Sequence, residues 1–352
     1  MLFRSRYLRF ALVPAPRRRK VCAAMSDEPL RGANPWASPG QWFRGTLHAH
    51  TTNSDGAMPP TKLVEHYAYA GADFIALTDH WKATGPDEVL GDPGPTVIRG
   101  IEVNTENGST VTGTNYHIVG LGVPHAIPRR TEGNGPAAAQ WYLDAIREAG
   151  GVSFVAHPYW SGLTLRDFEG LRGYLGLEVW NADTEVHIGR GDSSLLWDDL
   201  LSHGHGVLGL GVDDCHRPGY DSVRGWTVVK APDRSAASLL TAIAAGHFYA
   251  TAGPEILDVA WEESAGTVTV RCSPVRSVSL IADGTRGARL NAGPFGAAMR
   301  ASRLRSATNR PEGVIDGELI TGAVLHLSGN ERYVRVQVED DRGRRAWTNP
   351  IY

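Results

Sequence analysis

Nine side chains spread over the first two thirds of the chain could together hold metal ions: His48, His50, Asp55, His80, Glu102, His117, His157, Asp214 and His216. In Thr46-Leu47-His48-Ala49-His50 two imidazoles stand two residues apart, and on an extended strand end both point to the same side. Asp55 follows in Ser54-Asp55-Gly56, His80 closes Thr78-Asp79-His80, and Glu102 closes Gly100-Ile101-Glu102. His157 stands in Ala156-His157-Pro158, and Asp214 and His216 close Gly211-Val212-Asp213-Asp214-Cys215-His216. The motifs sit just beyond short apolar runs. His117 breaks the pattern, because Tyr116-His117 precedes its run. Nitrogen and carboxylate donors without thiolates suit Mn²⁺, Fe²⁺ or Zn²⁺ in a reactive centre rather than a structural zinc site. Nine donors are too many for one ion and enough for two or three if Glu102 bridges a pair. Close-set ions can deprotonate a shared water and stabilise a developing anion, so Glu102 and Asp214 are read as the catalytic carboxylates.

Taken singly, each residue has a plainer reading. A lone His beside an apolar run is more often a satisfied core or loop residue. Asp55 beside Gly56 suits a turn, and Asp79 and Asp213 suit caps. The coincidence of metal-competent side chains at six strand ends changes the weighing. His66, His203, His205 and His247 lack that placement and read as surface residues; His125 stays open. Cys215, between two proposed ligands, is expected to point into packing.

Ligands so far apart in sequence need a scaffold that gathers them. From Trp42 to Ala250, apolar runs alternate with amphipathic segments. Pro59 and Pro60 open a helix that Gly71 ends, the expected punctuation. Phe74-Ile75-Ala76-Leu77 is a strand, and the cycle returns with a helix over 136–149, a strand over 152–156, a helix over 194–201 and a strand over 207–212. Such alternation implies a parallel sheet or barrel, whose C-terminal strand ends converge on one face. After Ala250 short alternating strands dominate, clearest where Tyr333, Arg335 and Gln337 alternate with Val334, Val336 and Val338. The division expected is an N-terminal extension over 1–40, an α/β metallohydrolase domain over 41–250 and a small all-β, sandwich-like domain over 251–352.

The 352 residues carry a formal net charge of −3, which argues against a general nucleic-acid binder. The cysteines Cys22, Cys215 and Cys272 have no paired spacing, which fits a reducing compartment, read here as the cytoplasm. No apolar run is long enough to span a membrane. Residues 1–25 hold seven basic and no acidic side chains, with the densest cluster after a short apolar stretch rather than before it. A transit peptide or basic tail would read so; Met25 as the initiator is the reading preferred.

His48-Ala49-His50, Ser54-Asp55-Gly56, Thr78-Asp79-His80, Glu102, His157-Pro158 and Asp214-Cys215-His216, in that order, resemble the motifs of the PHP (polymerase and histidinol phosphatase) superfamily. The resemblance implies a distorted (β/α)7 barrel with a trinuclear metal centre. It implies that His48, His50, Glu102 and Asp214 hold one ion, that Glu102, His117 and His157 hold a second, and that Asp55, His80 and His216 hold a third. Some members carry His where Asp55 stands. Asn34-Pro35-Trp36, Gly246-His247-Phe248-Tyr249-Ala250 with Gly253-Pro254, and the Trp347-Thr348-Asn349-Pro350 ending are similar to the CehA/McbA branch, whose members include carbamate hydrolases.

The function expected is hydrolysis of small phosphoesters, mono- or diesters, by a metal-bridging hydroxide, with two to three divalent ions. Lys82, Arg190 and Arg217 lie near motif ends as candidate phosphate binders, and Tyr159 and Trp160 as pocket-lining candidates, with surface charge and core packing as their plainer readings. Asp213 and His187 are candidates for the general acid. Carbamate or carboxyl ester hydrolysis is the alternative, and a non-catalytic metal-binding module the third class, disfavoured by the intact ligand set.

Overall fold

The computed structural model describes residues 34–130, 133–262, 264–292, 299–300, 312–316 and 318–352. Met25, Cys22 and most of the N-terminal extension lie outside the described residues. The first part of the chain contributes strands β1 (Gln41–Thr46), β2 (Phe74–Leu77), β3 (Thr96–Asn104), β4 (His117–Leu121), β5 (Val152–Val155), β6 (Gly176–Asn181), β7 (Leu208–Val212), β8 (Trp226–Ala231) and β9 (Phe248–Thr251). Between them lie helices α1 (Pro60–Tyr69), α2 (Pro136–Glu148), α3 (Leu165–Phe168), α4 (Ala182–Ile188), α5 (Ser194–Ser202) and α6 (Ala236–Ala244). No helix among the described residues is long and apolar enough to cross a membrane.

β1, β2 and β3 are parallel neighbours, as are β5, β6 and β7. The chain then turns back on its first strand. Ala49 and Cys215, just past β1 and β7, form a parallel bridge. Around it the Asp214 N–H donates to the His48 carbonyl at 2.9 Å and the His50 N–H to the Cys215 carbonyl at 2.8 Å. The pleat sorts side chains to opposite faces. Phe74 and Ala76 join Ile98, Val119, Leu121, Phe154, Leu208 and Leu210 in one core cluster. Ile75 and Leu77 pack instead with Leu63, Val64 and Tyr67 of α1.

Strict strand–helix alternation does not hold. β4 runs antiparallel to both β3 and β5. It follows β3 through a helix-free loop rich in turn formers, Thr105-Glu106-Asn107-Gly108-Ser109. β8 is antiparallel to β1. Helices α4 and α6 were not expected from sequence: α4 spans only seven residues, and α6 has no acidic or basic face to mark a period.

Beyond β9 come β10 (Ile256–Glu262), β11 (Thr267–Val275), β12 (Ser277–Ala282), β13 (Gly287–Asn291), β14 (Met299–Arg300), β15 (Glu312–Asp316), β16 (Leu319–His326), β17 (Val334–Glu339) and β18 (Arg345–Thr348). β18, β17, β12, β13 and β14 extend the same sheet outward from β9, and β10, β11, β16 and β15 form a second sheet. Val259, Val270, Val278, Leu325 and Val336 share one core cluster, so the all-β part is a sandwich. Tyr249, Ala250 and Thr251 of β9 pair with Thr348, Trp347 and Ala346 of β18, so the sheet runs on through residue 250.

A buried ion pair ties the two parts together. Arg335 on β17 is 1% exposed, and its Nε and Nη2 donate to both carboxylate oxygens of Asp198 on α5 at 2.7 and 2.6 Å. Removing one partner of such a pair leaves a desolvated charge behind. Asp198→Ala, which leaves the buried Arg335 guanidinium without its partner, is therefore expected to lower unfolding stability in urea by about 3 kcal/mol. Lys62→Ala, which breaks an exposed pair with Glu65, should cost less than about 1 kcal/mol. Equal shifts for the two variants would show that the Arg335 bridge contributes nothing special.

Candidate metal centre

The extension of β1 beyond Thr46 carries Leu47 inward to the core and sends the rings of His48 and His50 to one side, as a period of two requires. His48 Nε2 and His50 Nε2 stand 3.1 Å apart. Glu102 Oε2 lies 3.2 Å from each, and Asp214 Oδ1 lies 3.1 and 3.2 Å from them. Five of the six edges of this four-atom figure are thus equal to within 0.1 Å. A regular tetrahedron of that edge has its centre about 2.0 Å from each corner, the length of a zinc–nitrogen or zinc–oxygen bond. Asp214 Oδ1 is buried and accepts no hydrogen bond despite these neighbours. An orphaned carboxylate oxygen among ring nitrogens is what a cation site looks like without its ion, so these residues fit a divalent metal.

The other oxygen of Glu102 faces a different set. Its Oε1 lies 2.8 Å from His117 Nδ1 and 3.4 Å from His157 Nε2. The antiparallel course of β4 explains why His117 seemed misplaced: the start of an antiparallel strand lies level with the ends of its neighbours. His117 pairs with Asn104, and Glu102 with Val119, so His117 and Glu102 are diagonal partners. A third grouping lies toward solvent. Asp55 Oδ2 is 3.6 Å from both His80 Nε2 and His216 Nε2, and Asp55 Oδ1 is 3.4 Å from His50 Nδ1. His80 also bridges back, with Nδ1 3.2 Å from Glu102 Oε2 yet without a hydrogen bond. All nine expected side chains are therefore brought together.

Four imidazoles have Nδ1 turned outward onto a supporting group, which leaves Nε2 for the cluster. His48 Nδ1 meets Glu178 Oε1 at 2.7 Å, His50 Nδ1 meets Ser54 Oγ at 3.3 Å, His157 Nδ1 meets Ser161 Oγ at 3.1 Å, and His216 Nδ1 donates to the Asp214 carbonyl at 2.8 Å. Burial alone would raise Glu102 and Asp214, but the surrounding imidazoles hold both well below the ordinary carboxylate range. Conversely, burial would depress His48, His50 and His157, and the carboxylates push all three upward. Backbone strain gathers at the same place. Among the described non-glycine residues, positive φ occurs at Trp81, His157, Asp214 and Val223, two of them proposed ligands and a third next to His80.

Supporting residues that the sequence reading missed are charged or amide groups buried inside apolar strands or in turns. Glu178 is fully buried on β6. Asn181 Nδ2 donates to Glu178 Oε2 at 2.8 Å and to Asp214 Oδ2 at 3.1 Å. Asp79 accepts from the Thr51 N–H at 2.7 Å and from Ser54 Oγ at 2.8 Å, which fixes the turn bearing Asp55. In that turn a Cβ on Gly56 would stand 2.2 Å from the His50 carbonyl, so only glycine fits. Asp221 Oδ2 accepts the N–H groups of His216 and Arg217 at 2.8 and 2.7 Å. Only Glu178, an acid between Leu177 and Val179, carried a sequence signal that could have been read.

The candidates around the centre separate into two kinds. Lys82 is held by Glu88 at 2.6 Å, so its charge is already matched. Arg190 lies over the ring of Tyr159, 5.4 Å from its centroid, and both Arg190 and Arg217 are exposed without a carboxylate partner among the described residues. Tyr159 and Trp160 are not core: both are exposed, and Trp160 stands edge-on to His157 and His117 at 4.9 and 5.9 Å. Asp213 cannot serve the centre as an acid. Tyr67 Oη and the N–H groups of Val223, Arg224 and Gly225 all donate to it, on the α1 side of the sheet. Its burial raises its carboxyl to about 7. His187, half-exposed, lies 3.3 Å from Asp183. Burial, with Asp214 nearby, lifts Asp183 to about 6. Cys215 is fully buried beside Ala49 and α1, whereas His66 is not a free surface residue, since its Nε2 meets Ser222 Oγ at 2.9 Å.

No family model matches the chain. Over 89 residues, 24% of this chain and 31% of the relative, it is 40% identical to a 5'-3' exoribonuclease of Haemophilus influenzae. Over 90 residues, 25% of this chain and 30% of the relative, it is 34% identical to a 3',5'-nucleoside bisphosphate phosphatase of Chromobacterium violaceum. The chain thus spans about a third of the length of each of these relatives. Among solved structures, a two-domain protein from Bacteroides vulgatus containing a predicted PHP-like metal-dependent phosphoesterase aligns with 90% of this chain and 96% of its own, at 16% identity and a TM-score of 0.48. None of these matches singles out a branch of the PHP superfamily.

Proposed function

We propose that this chain, a PHP-superfamily protein by its motifs, is a metal-dependent phosphoesterase acting on small mono- or diesters in the cytoplasm. The observation that carries this reading is the division of labour at Glu102, whose two oxygens face separate sets of imidazoles as a bridging ligand would. His48, His50, Glu102 and Asp214 would hold one ion, Glu102, His117 and His157 a second, and Asp55, His80 and His216 a third. When bound, such ions lower the pKa of a coordinated water and neutralise charge on phosphoryl oxygens. Arg190 and Arg217, unmatched by carboxylates, would add positive charge at the rim. Two curated relatives point the same way: a nuclease cuts diesters, and a bisphosphate phosphatase cuts monoesters.

A second reading, hydrolysis of a carbamate or carboxyl ester, is favoured by the pairing of Lys82 with Glu88, which leaves the site short of free cations for a doubly charged monoester. One metal-loaded preparation assayed on p-nitrophenyl phosphate, bis-p-nitrophenyl phosphate and an aryl N-methylcarbamate separates the readings. Turnover of either phosphoester is expected. Turnover of the carbamate alone would replace phosphorus by carbon as the target while leaving the metal centre in place.

The ligand set also sets an occupancy. Elemental analysis of protein purified without chelator should give two to three ions of Mn, Fe or Zn per chain. Dialysis against a chelator should lower the melting temperature, because binding to the folded state alone stabilises it by mass action. One ion or none, with no gain on reconstitution, would rule out a cluster of three.

A further inference from the structure

We propose, resting on the phosphoesterase reading, that the ester's non-transferred group is a flat aromatic ring system, seated on a wall built by the loops after β5, β6 and β7. Soluble proteins seldom cluster large apolar side chains at the surface, and a cluster beside a cleft marks a binding surface. Here Tyr159 is 47% exposed, Trp160 40%, Ile188 59% and Tyr220 48%. They are not scattered. Trp160 stands perpendicular to the rings of His157 and His117, at interplanar angles of 81° and 83°, so an exposed ring lies directly beside the centre. Tyr159 lies under the guanidinium of Arg190. Tyr220 stands 6.0 Å from the His187 ring, three residues before Arg190, with its hydroxyl donating to the Val186 carbonyl at 3.3 Å.

The wall is built to stay in place. The turn after His157 is closed by hydrogen bonds from Ser161 N–H to the His157 carbonyl and from Leu163 N–H to the Pro158 carbonyl, at 3.0 and 2.9 Å, and Ser193 Oγ accepts the Tyr159 N–H at 3.2 Å. The loops after β1 and β2 are different in kind. There Asn53 Nδ2 and Lys82 Nζ both donate to Glu88, at 2.8 and 2.6 Å, and the acid Asp55 faces solvent. An ester held at the centre would therefore meet polar, charge-matched loops after β1 and β2, and rings with a stacked guanidinium on the loops after β5, β6 and β7. Three rings and a guanidinium offer π faces, which favour an aromatic partner over an aliphatic one of equal area. The unmatched Arg190 further suits a ring carrying a second anionic or electron-rich group.

The test is equilibrium binding to metal-loaded protein of non-hydrolysable methyl-, cyclohexyl-, phenyl- and 4-biphenylylphosphonate. Phenyl and biphenylyl should bind about tenfold or more tighter than methyl, and tighter than cyclohexyl. Trp160→Ala should remove most of that gain while leaving methylphosphonate affinity and metal content unchanged, and Trp160→Phe should restore part of it. Tyr69→Ala, an exposed ring on α1, should change nothing. Equal affinity across the series, or cyclohexyl matching phenyl, would overturn the aromatic seat with the phosphoesterase reading intact. Failure of every phosphonate to bind would overturn both.

Discussion

Replacing Glu102 by Gln is expected to abolish turnover, by about a thousandfold or more, and to strip at least one ion from the protein without unfolding it. The side chain keeps its shape, so packing around this buried residue is unchanged. What changes is charge and lone pairs at two places at once. One oxygen lies 3.2 Å from ring nitrogens of His48, His50 and His80; the other lies 2.8 Å from His117 Nδ1 and 3.4 Å from His157 Nε2. An amide must present its NH2 to one of these sets, where every neighbour is itself meant to turn a lone pair inward. Metal-borne charge stabilisation is worth several kcal/mol, and each 1.36 kcal/mol is tenfold in rate. Elemental analysis and turnover on the preferred phosphoester read the two effects separately. His203→Ala, at an exposed histidine after α5, should leave both unchanged. Full metal content with activity within tenfold of the parent would show that Glu102 is not the bridging group.

The candidate ligands could be singled out as a group because their chemistry is rare at strand ends and recurs six times along the chain. Their supports could not, because a buried hydrogen-bonding group such as Asp221 or Asn181 looks in sequence like any turn residue or cap. The fold was legible where period and punctuation agree, as in α1 between Pro60 and Gly71 or β2 at Phe74–Leu77. It was illegible where strand direction matters, because the pleat pattern of β4 is the same whichever way the strand runs. That one ambiguity made His117 look like an outlier when its ring stands against Glu102 and His157. The joining of β9 to β18 was equally hidden: it depends on pairing across nearly a hundred residues, and both strands are only four residues long.

Glu178 supports the second large expectation: Glu178→Gln should weaken metal binding about 10- to 100-fold, the usual effect of losing an outer-sphere partner of a ligating histidine. The carboxylate is fully buried and faces donors at both oxygens. Oε1 accepts from His48 Nδ1 at 2.7 Å; Oε2 accepts the His157 N–H at 2.7 Å and Asn181 Nδ2 at 2.8 Å. A glutamine can satisfy only one side. If its NH2 turns to His157 and Asn181, three donors meet and the His157 N–H loses its acceptor, at a cost of about 1–3 kcal/mol for each buried group left without a partner. If it turns to His48, the imidazole must accept at Nδ1 and carry its proton on Nε2, the atom aimed at His50, Glu102 and Asp214. The first orientation loosens the backbone support of His157, and the second removes the His48 lone pair from the centre. Metal affinity measured by chelator competition should fall, and the melting temperature of the metal-free protein should fall as well. A lowered melting temperature with metal affinity unchanged would make Glu178 a buttress of β6 alone and leave the orientation of His48 to the packing around its ring.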